Sequence, residues 1–237
     1  MAKDLQAVVD AVQRQTEGLR LWGIKDLPMA AEQRTGQRSA ALRRLDQDVK
    51  ACTRCPLFRT RTHHVLGEGR ADAELVFVGE APGREEDLQG RPFVGAAGQL
   101  LTKMIEAMGL RREEVYICNV LKDRPPGNRT PLPEEVEACL PFLAQQLAVI
   151  HPTVICALGS VATKALLGAQ VSIMQIRGQQ HDFGGIPLIP TLHPAYLLRN
   201  PPAKRLVWQD LKRVKRLLEE RRARPPAQRA EAGGRAR

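Results

Sequence analysis

The feature that most constrains this chain is an alternation that begins at Glu74. Short β-rich apolar runs follow one another, each leading through a polar stretch into a segment with helical spacing. ELVFVGE passes through APGREEDLQGRPFVG to GQLLTKMIEAMGL, which Gly109 closes. EVYICNVL leads through a Pro/Arg loop to PEEVEACLPFLAQQLAVI, and TVICALG runs into SVATKALLG. IPLIPTL is followed by His193-Pro194-Ala195 and then by a basic helix from Ala203 to Arg222. Strands separated by helices pair in parallel and need cover on both faces. The pattern predicts an α/β fold, three-layer α/β/α, around a central, mostly parallel four-stranded sheet. In such sheets ligands bind at the carboxyl ends of the strands. Those ends carry Glu80, Asn119, Ser160 and His193, which are expected to converge on one pocket.

Around this core the chain divides into three parts. Residues 1–48 read as a helical N-terminal extension of one or two surface helices, and AALRRLDQDVKAC leads directly into the pair Cys52 and Cys55. Residues 49–222 form the α/β domain. Residues 223–237, in the Arg, Pro, Ala and Gly-rich tail, hold no core residues and are expected to be disordered. From Lys212 onward there are ten Lys/Arg against three Glu, so this end carries +7 of the net charge of +10. A basic balance favours nucleic acid as a partner; the tail itself is either a phosphate-binding arm or a solvated end. No apolar run reaches the roughly 18 residues that a membrane span needs, and no signal-peptide pattern opens the chain. Five cysteines, an odd number, argue for metal-bound or buried thiols in an intracellular protein rather than a secreted disulfide framework.

The loop GEAPGREEDLQGRPFVG contains neither a GxGxxG opening a helix nor a Gly-Lys-Ser/Thr, so nucleotide-binding fingerprints are absent. Gly79, Pro82 and Gly83 describe a tight turn that lets a ligand approach the backbone. Four separated motifs then occur in order: Glu-Ala-Pro-Gly after the first strand, Gly-Arg-Pro-Phe-Val-Gly soon after it, Asn119 at the second strand end, and His193-Pro194-Ala195 after the last. Together they resemble the uracil-DNA glycosylase superfamily, and most of all its family 4, the iron–sulfur type, over Cys52 to Leu218.

The resemblance implies a DNA repair enzyme that excises uracil from single- or double-stranded DNA, hydrolysing the N-glycosidic bond of a flipped deoxyuridine and leaving an abasic site. An enzyme acting on a base must take it out of the stack and read its pairing edge. On this resemblance Phe93 stacks on the pyrimidine, and Gly79, Glu80 and Ala81 contact uracil. The Asn119 amide accepts from N3–H and donates to O4, where cytosine presents an amino group instead. His193 donates to O2 as the uracil anion develops. In family 1 the first motif reads Gly-Gln-Asp-Pro-Tyr. Here Glu80 stands at the Gln, Ala81 at the water-activating Asp, and Gly83 at the Tyr that bars thymine, so Glu80 is the candidate for orienting water or favouring the cationic sugar. The catalytic set is thus Glu80, Asn119 and His193. Tyr196, Leu197, Leu198 and Arg199 read as a DNA-binding segment, an apolar wedge beside a cation.

In family 4 a 4Fe–4S cluster is held by four cysteines. Cys52, Cys55 and Cys139 match three of them, and the remaining position falls on Asp123. Cys118 lies five residues earlier, about 16 Å along an extended chain, among Tyr, Ile and Val like a core thiol. The implied metal set is Cys52, Cys55, Asp123 and Cys139, with zinc on a Cys₃Asp set as the alternative. Cys156 reads as buried structure. A covalent-trapping superfamily member would need a His on an inserted loop and a Gln at Ala81, and neither is present. An iron–sulfur DNA-binding protein with lost or altered glycosylase activity is the other alternative. The chain is expected to be a cytoplasmic, nucleoid-associated monomer without membrane contact.

Overall fold

The computed structural model describes residues 31–223. The expected helix over LQAVVDAVQ and the expected disordered tail from Arg224 lie outside these residues. The described residues hold six strands: β1 (Glu68–Gly69), β2 (Leu75–Gly79), β3 (Tyr116–Asn119), β4 (Val154–Leu158), β5 (His181–Phe183) and β6 (Ile186–Thr191). Among the described residues eight α-helices accompany them: α1 (Ala31–Lys50), α2 (Arg84–Gln89), α3 (Ala96–Ala107), α4 (Pro133–Ile150), α5 (Gly159–Leu167), α6 (Ile173–Ile176), α7 (Pro194–Arg199) and α8 (Lys204–Ala223).

The sheet order is β1-β3-β2-β4-β6-β5. Its four inner strands run parallel and are the four expected from the apolar runs; β1 and β5 add antiparallel edges. The count of four therefore rises to six. The two additions are two- and three-residue strands. Such short pieces carry no period to read, and they pair only because a longer neighbour presents its edge.

Side chains alternate across the sheet and build two cores. Val76, Val78, Cys118 and Ala157 face α4 and α5, which contribute Leu143, Leu147 and Ala162. Leu75, Phe77, Ile117, Cys156 and Ile189 face α3 and α8, which contribute Leu101, Ile105, Leu211 and Val214. This is the three-layer α/β/α arrangement. α1 lies against α4, with Arg38 Nη1 donating to the Ile150 carbonyl at 3.0 Å and Thr35 Oγ1 to Asp72 at 3.0 Å. Among the described residues no helix is long and apolar enough to cross a membrane.

Candidate active site

The chain leaves β2 for β3 on one side of the sheet and later takes up β4 on the other, so a crevice opens beyond the carboxyl end of β2. Register puts Gly79 directly beside Asn119. Backbone bonds continue the pairing past the strand ends, from Val120 N–H to the Gly79 carbonyl at 3.0 Å and from Leu121 N–H to the Glu80 carbonyl at 3.1 Å. A methyl placed on Gly79 would stand 2.4 Å from Asn119 Oδ1 and 2.5 Å from Phe93 Cζ. Glycine is needed here so that the carboxamide and the ring can close on the same spot.

Phe93 sits at φ +52°, a left-handed conformation that costs a non-glycine residue about 1–3 kcal/mol. The surroundings enforce it. Glu86 accepts from the N–H groups of Gly83 (3.1 Å), Val94 (2.8 Å) and Gly95 (2.9 Å), stapling the first turn to the Phe93 loop. Gly98 of α3 lets the Phe93 carbonyl come close, since a Cβ there would lie 1.8 Å from that oxygen. The Phe93 ring then meets the His193 ring with centroids 5.6 Å apart and planes tilted by 33°.

His193 ends the β6 segment and caps α7. Its Nδ1 accepts the Ala195 N–H at 3.1 Å, so in the neutral ring the proton resides on Nε2. Burial, helped by the nearby Arg199 charge, lowers the His193 pKa to about 4. Gly159, at φ +87°, leaves room for the imidazole; a Cβ there would approach His193 Cβ to 2.9 Å. Ser160 follows it, half-buried, at the start of α5. Glu80 is half-buried, and burial alone raises its carboxyl pKa. Ala81 is half-buried and packs against the first core.

Among the described residues no donor meets Asn119 Oδ1, although that atom is buried. Buried acceptors are almost always satisfied, so this one calls for a ligand N–H. Behind it stands a group that the motifs did not point to. Lys122 is 1% exposed, and its Nζ donates to the Asn119 carbonyl (2.7 Å), to the Leu66 carbonyl (3.4 Å) and to Gln146 Oε1. Gln146 Nε2 in turn donates to the Leu66 carbonyl and to the Tyr116 hydroxyl, at 2.9 and 3.1 Å. Burial lowers the Lys122 pKa.

α7 divides the expected DNA-binding segment. Tyr196, Leu198 and Arg199 are exposed, whereas Leu197 is 1% exposed and belongs to the second core. Leu197 therefore anchors α7 rather than facing DNA, as one turn of helix must turn one residue inward.

At the expected metal position the side chains of Cys139 and Cys55 interact, which lowers the Cys55 pKa to about 7 and raises that of Cys139. Cys52 is half-buried against Leu45, Val49, Leu66 and Phe142. Cys118 and Cys156 are fully buried in the two cores. Both oxygens of Asp123 accept from Arg61 Nη1, at 2.9 and 3.0 Å. Burial raises the Asp123 pKa and Arg61 opposes that shift. Among the described residues no three His, Cys, Asp or Glu side chains stand together with the spacing of a metal site. This donor set does not fit a four-ligand cluster, nor zinc on Cys₃Asp, because its one oxygen donor is turned to Arg61 and is not gathered with the thiols.

Fold and site together define an α/β protein whose parallel sheet ends in a cluster of an aromatic ring, a buried carboxamide acceptor and an imidazole donor. Such a cluster can stack on a flat ring and meet an N–H and an acceptor at its rim. The family profile of the Uracil DNA glycosylase superfamily matches residues 66–212, and the chain belongs to that superfamily. It is 51% identical over 180 residues to the type-4 uracil-DNA glycosylase of Thermotoga maritima, covering 74% of this chain and 94% of that protein. It is 44% identical over 176 residues to the type-4 uracil-DNA glycosylase of Archaeoglobus fulgidus, covering 71% and 88%. A type-5 uracil-DNA glycosylase of Pyrobaculum aerophilum is 31% identical over 166 residues, covering 62% and 72%.

Proposed function

We propose that this protein is a DNA repair glycosylase that hydrolyses the bond between uracil N1 and the deoxyribose C1′ of a flipped nucleotide. The carrying observation is the unpartnered Asn119 Oδ1, buried beside Gly79 and Phe93. Uracil supplies the missing N–H at N3 and an acceptor at O4 for the amide nitrogen. Cytosine has no N3–H and presents a donor where uracil has O4, so it leaves both ends of the amide unmatched.

As the C1′–N1 bond breaks, its electron pair moves to uracil and spreads towards O2 and O4. His193 meets that charge as a neutral Nε2–H donor, a state its burial and the Ala195 contact favour. Phe93 holds the ring flat, and Glu80 orients the water that adds to C1′ or offsets the cationic sugar. The added water loses its proton to solvent as the C1′ hydroxyl forms, and the departing uracil anion takes one up from solvent. Tyr196, Leu198 and Arg199 face the DNA, the first two at the vacated stack and the third at a phosphate. Substrates are single- or double-stranded uracil-containing DNA. Such an enzyme works with the chromosome, in the cytoplasm at the nucleoid. No step passes through a metal. Of the ligands implied by the resemblance, the three thiols Cys52, Cys55 and Cys139 remain for an iron–sulfur cluster.

The test is release of free uracil from a uracil-containing oligonucleotide by the wild type, Asn119→Ala and His193→Ala. Each variant should lose about 10²–10³ in single-turnover rate, the usual cost of a lost oxyanion donor. Undiminished release by both refutes the assignment.

A further inference from the structure

We propose that an Arg61–Asp123 ion pair, and not a bond to metal, ties the Cys52–Cys55 segment to the loop after β3. A single guanidinium makes the connection. Arg61 Nη1 binds both Asp123 oxygens and the Val49 carbonyl at 3.3 Å, while Nη2 donates to the Lys50 carbonyl. Val49 and Lys50 end α1, where carbonyls lack helical partners and the helix dipole is negative. The same cation therefore caps α1 immediately before Cys52 and neutralises the carboxylate that follows Lys122.

Both partners are enclosed, with side chains 14% and 6% exposed, so solvent and salt screen the pair little. A second bond runs parallel to it, from Val65 N–H to the Lys122 carbonyl at 2.8 Å. From Lys122 the connection reaches the pocket through the Asn119 carbonyl. To join the thiols around a metal, Asp123 would have to turn from Arg61 and weaken a pair held in an enclosed site. Breaking a buried pair in that way is strongly unfavourable, and among the described residues Asp123 does not stand with the thiols at the spacing of a metal site. Asp123 thus keeps the seam closed whether or not metal is held by the neighbouring thiols.

Thermal unfolding of the full chain tests this, before and after bound metal is stripped with ferricyanide and EDTA, alongside Asp123→Asn and Arg61→Met. Stripping should shift the wild-type Tm little, while each variant should lower it by about 5 °C or more. The proposal stands if each variant lowers Tm more than stripping does. It falls if stripping costs as much as either variant, or if either leaves Tm unchanged. Should the variants be recovered only as aggregates, hydrogen exchange of the wild type decides. Retained protection of residues 61–65 and 120–124 after stripping upholds the ion-pair tie, and lost protection overturns it. Because the readout is unfolding, failure here leaves the uracil-release test untouched.

Discussion

His193 Nδ1 accepts the main-chain N–H of Ala195, two residues further along the same helix cap, at 3.1 Å. That bond fixes which nitrogen carries the proton, and burial keeps the ring neutral down to about pH 4. The folded-state pKa lies below the ordinary value of 6.5, so the folded protein binds fewer protons than the unfolded chain between the two. The associated stability is fully present above pH 6.5 and is lost as pH falls towards 4. Single-turnover uracil release should accordingly show no histidine step near 6.5, and in Glu80→Gln, which removes the carboxyl whose pKa burial raises, the remaining acid fall should lie near 4. A midpoint near 6.5 that disappears in His193→Gln would mark an ordinary, solvated imidazole.

Gly79→Ala tests the pocket floor. Its methyl would enter within 2.5 Å of Phe93 Cζ and 2.4 Å of Asn119 Oδ1, both below any ordinary contact. Either the ring or the carboxamide must shift by several tenths of an ångström. A misplacement approaching 1 Å costs about 10²-fold in rate, so uracil release should fall by that order. Gly79 is the last residue of a buried strand and is not left-handed, so the Tm should change far less than the rate. Equal rates for both proteins would show that uracil lies elsewhere.

Lys122 and Gln146 explain how Asn119 is held. Lys122→Met keeps the length of the side chain and removes three donors, leaving the Asn119 carbonyl and Gln146 Oε1 short of a partner in a dry interior, while the Leu66 carbonyl keeps Gln146 Nε2. Each unsatisfied group costs about 1–3 kcal/mol. The variant should melt several degrees lower, and uracil release measured well below its Tm should also fall, because the Asn119 backbone has lost its anchor. A lowered Tm with an unchanged rate would confine Lys122 to a structural role.

The four inner strands and the long helices were legible because each carried its own period: VFV, YIC and VICAL are buried on both faces, and α4 matches the span read from sequence. The placing of Glu80, Asn119 and His193 at the ends of neighbouring strands was legible because a parallel sheet puts its strand ends together. What stayed hidden depended on partners far along the chain. Gln146 meets Leu66 across 80 residues, and Arg61 meets Asp123 across 62. No local pattern announces such a pair. Glu86 was within reach, because Gly83 followed three residues later by Glu86 has the spacing of a capping box. Leu197 and Leu198 read alike as apolar residues; only the docking of α7 separates them.

That separation gives opposite outcomes for two adjacent leucines. Leu198 is 46% exposed beside Arg199, whereas Leu197 is 1% exposed beneath it. Leu197→Ala removes buried methyl groups from the second core, at a cost of about 2–5 kcal/mol, and should lower Tm with any loss of activity following from that. Leu198→Ala removes nothing from the core and should leave Tm unchanged. In a duplex, however, the extruded nucleotide leaves a gap that an apolar side chain must fill, while a single strand has no stack to restore. Leu198→Ala should therefore slow release from duplex uracil several-fold more than from single-stranded uracil. Equal slowing on both substrates would show that Leu198 contacts the strand without acting as a wedge.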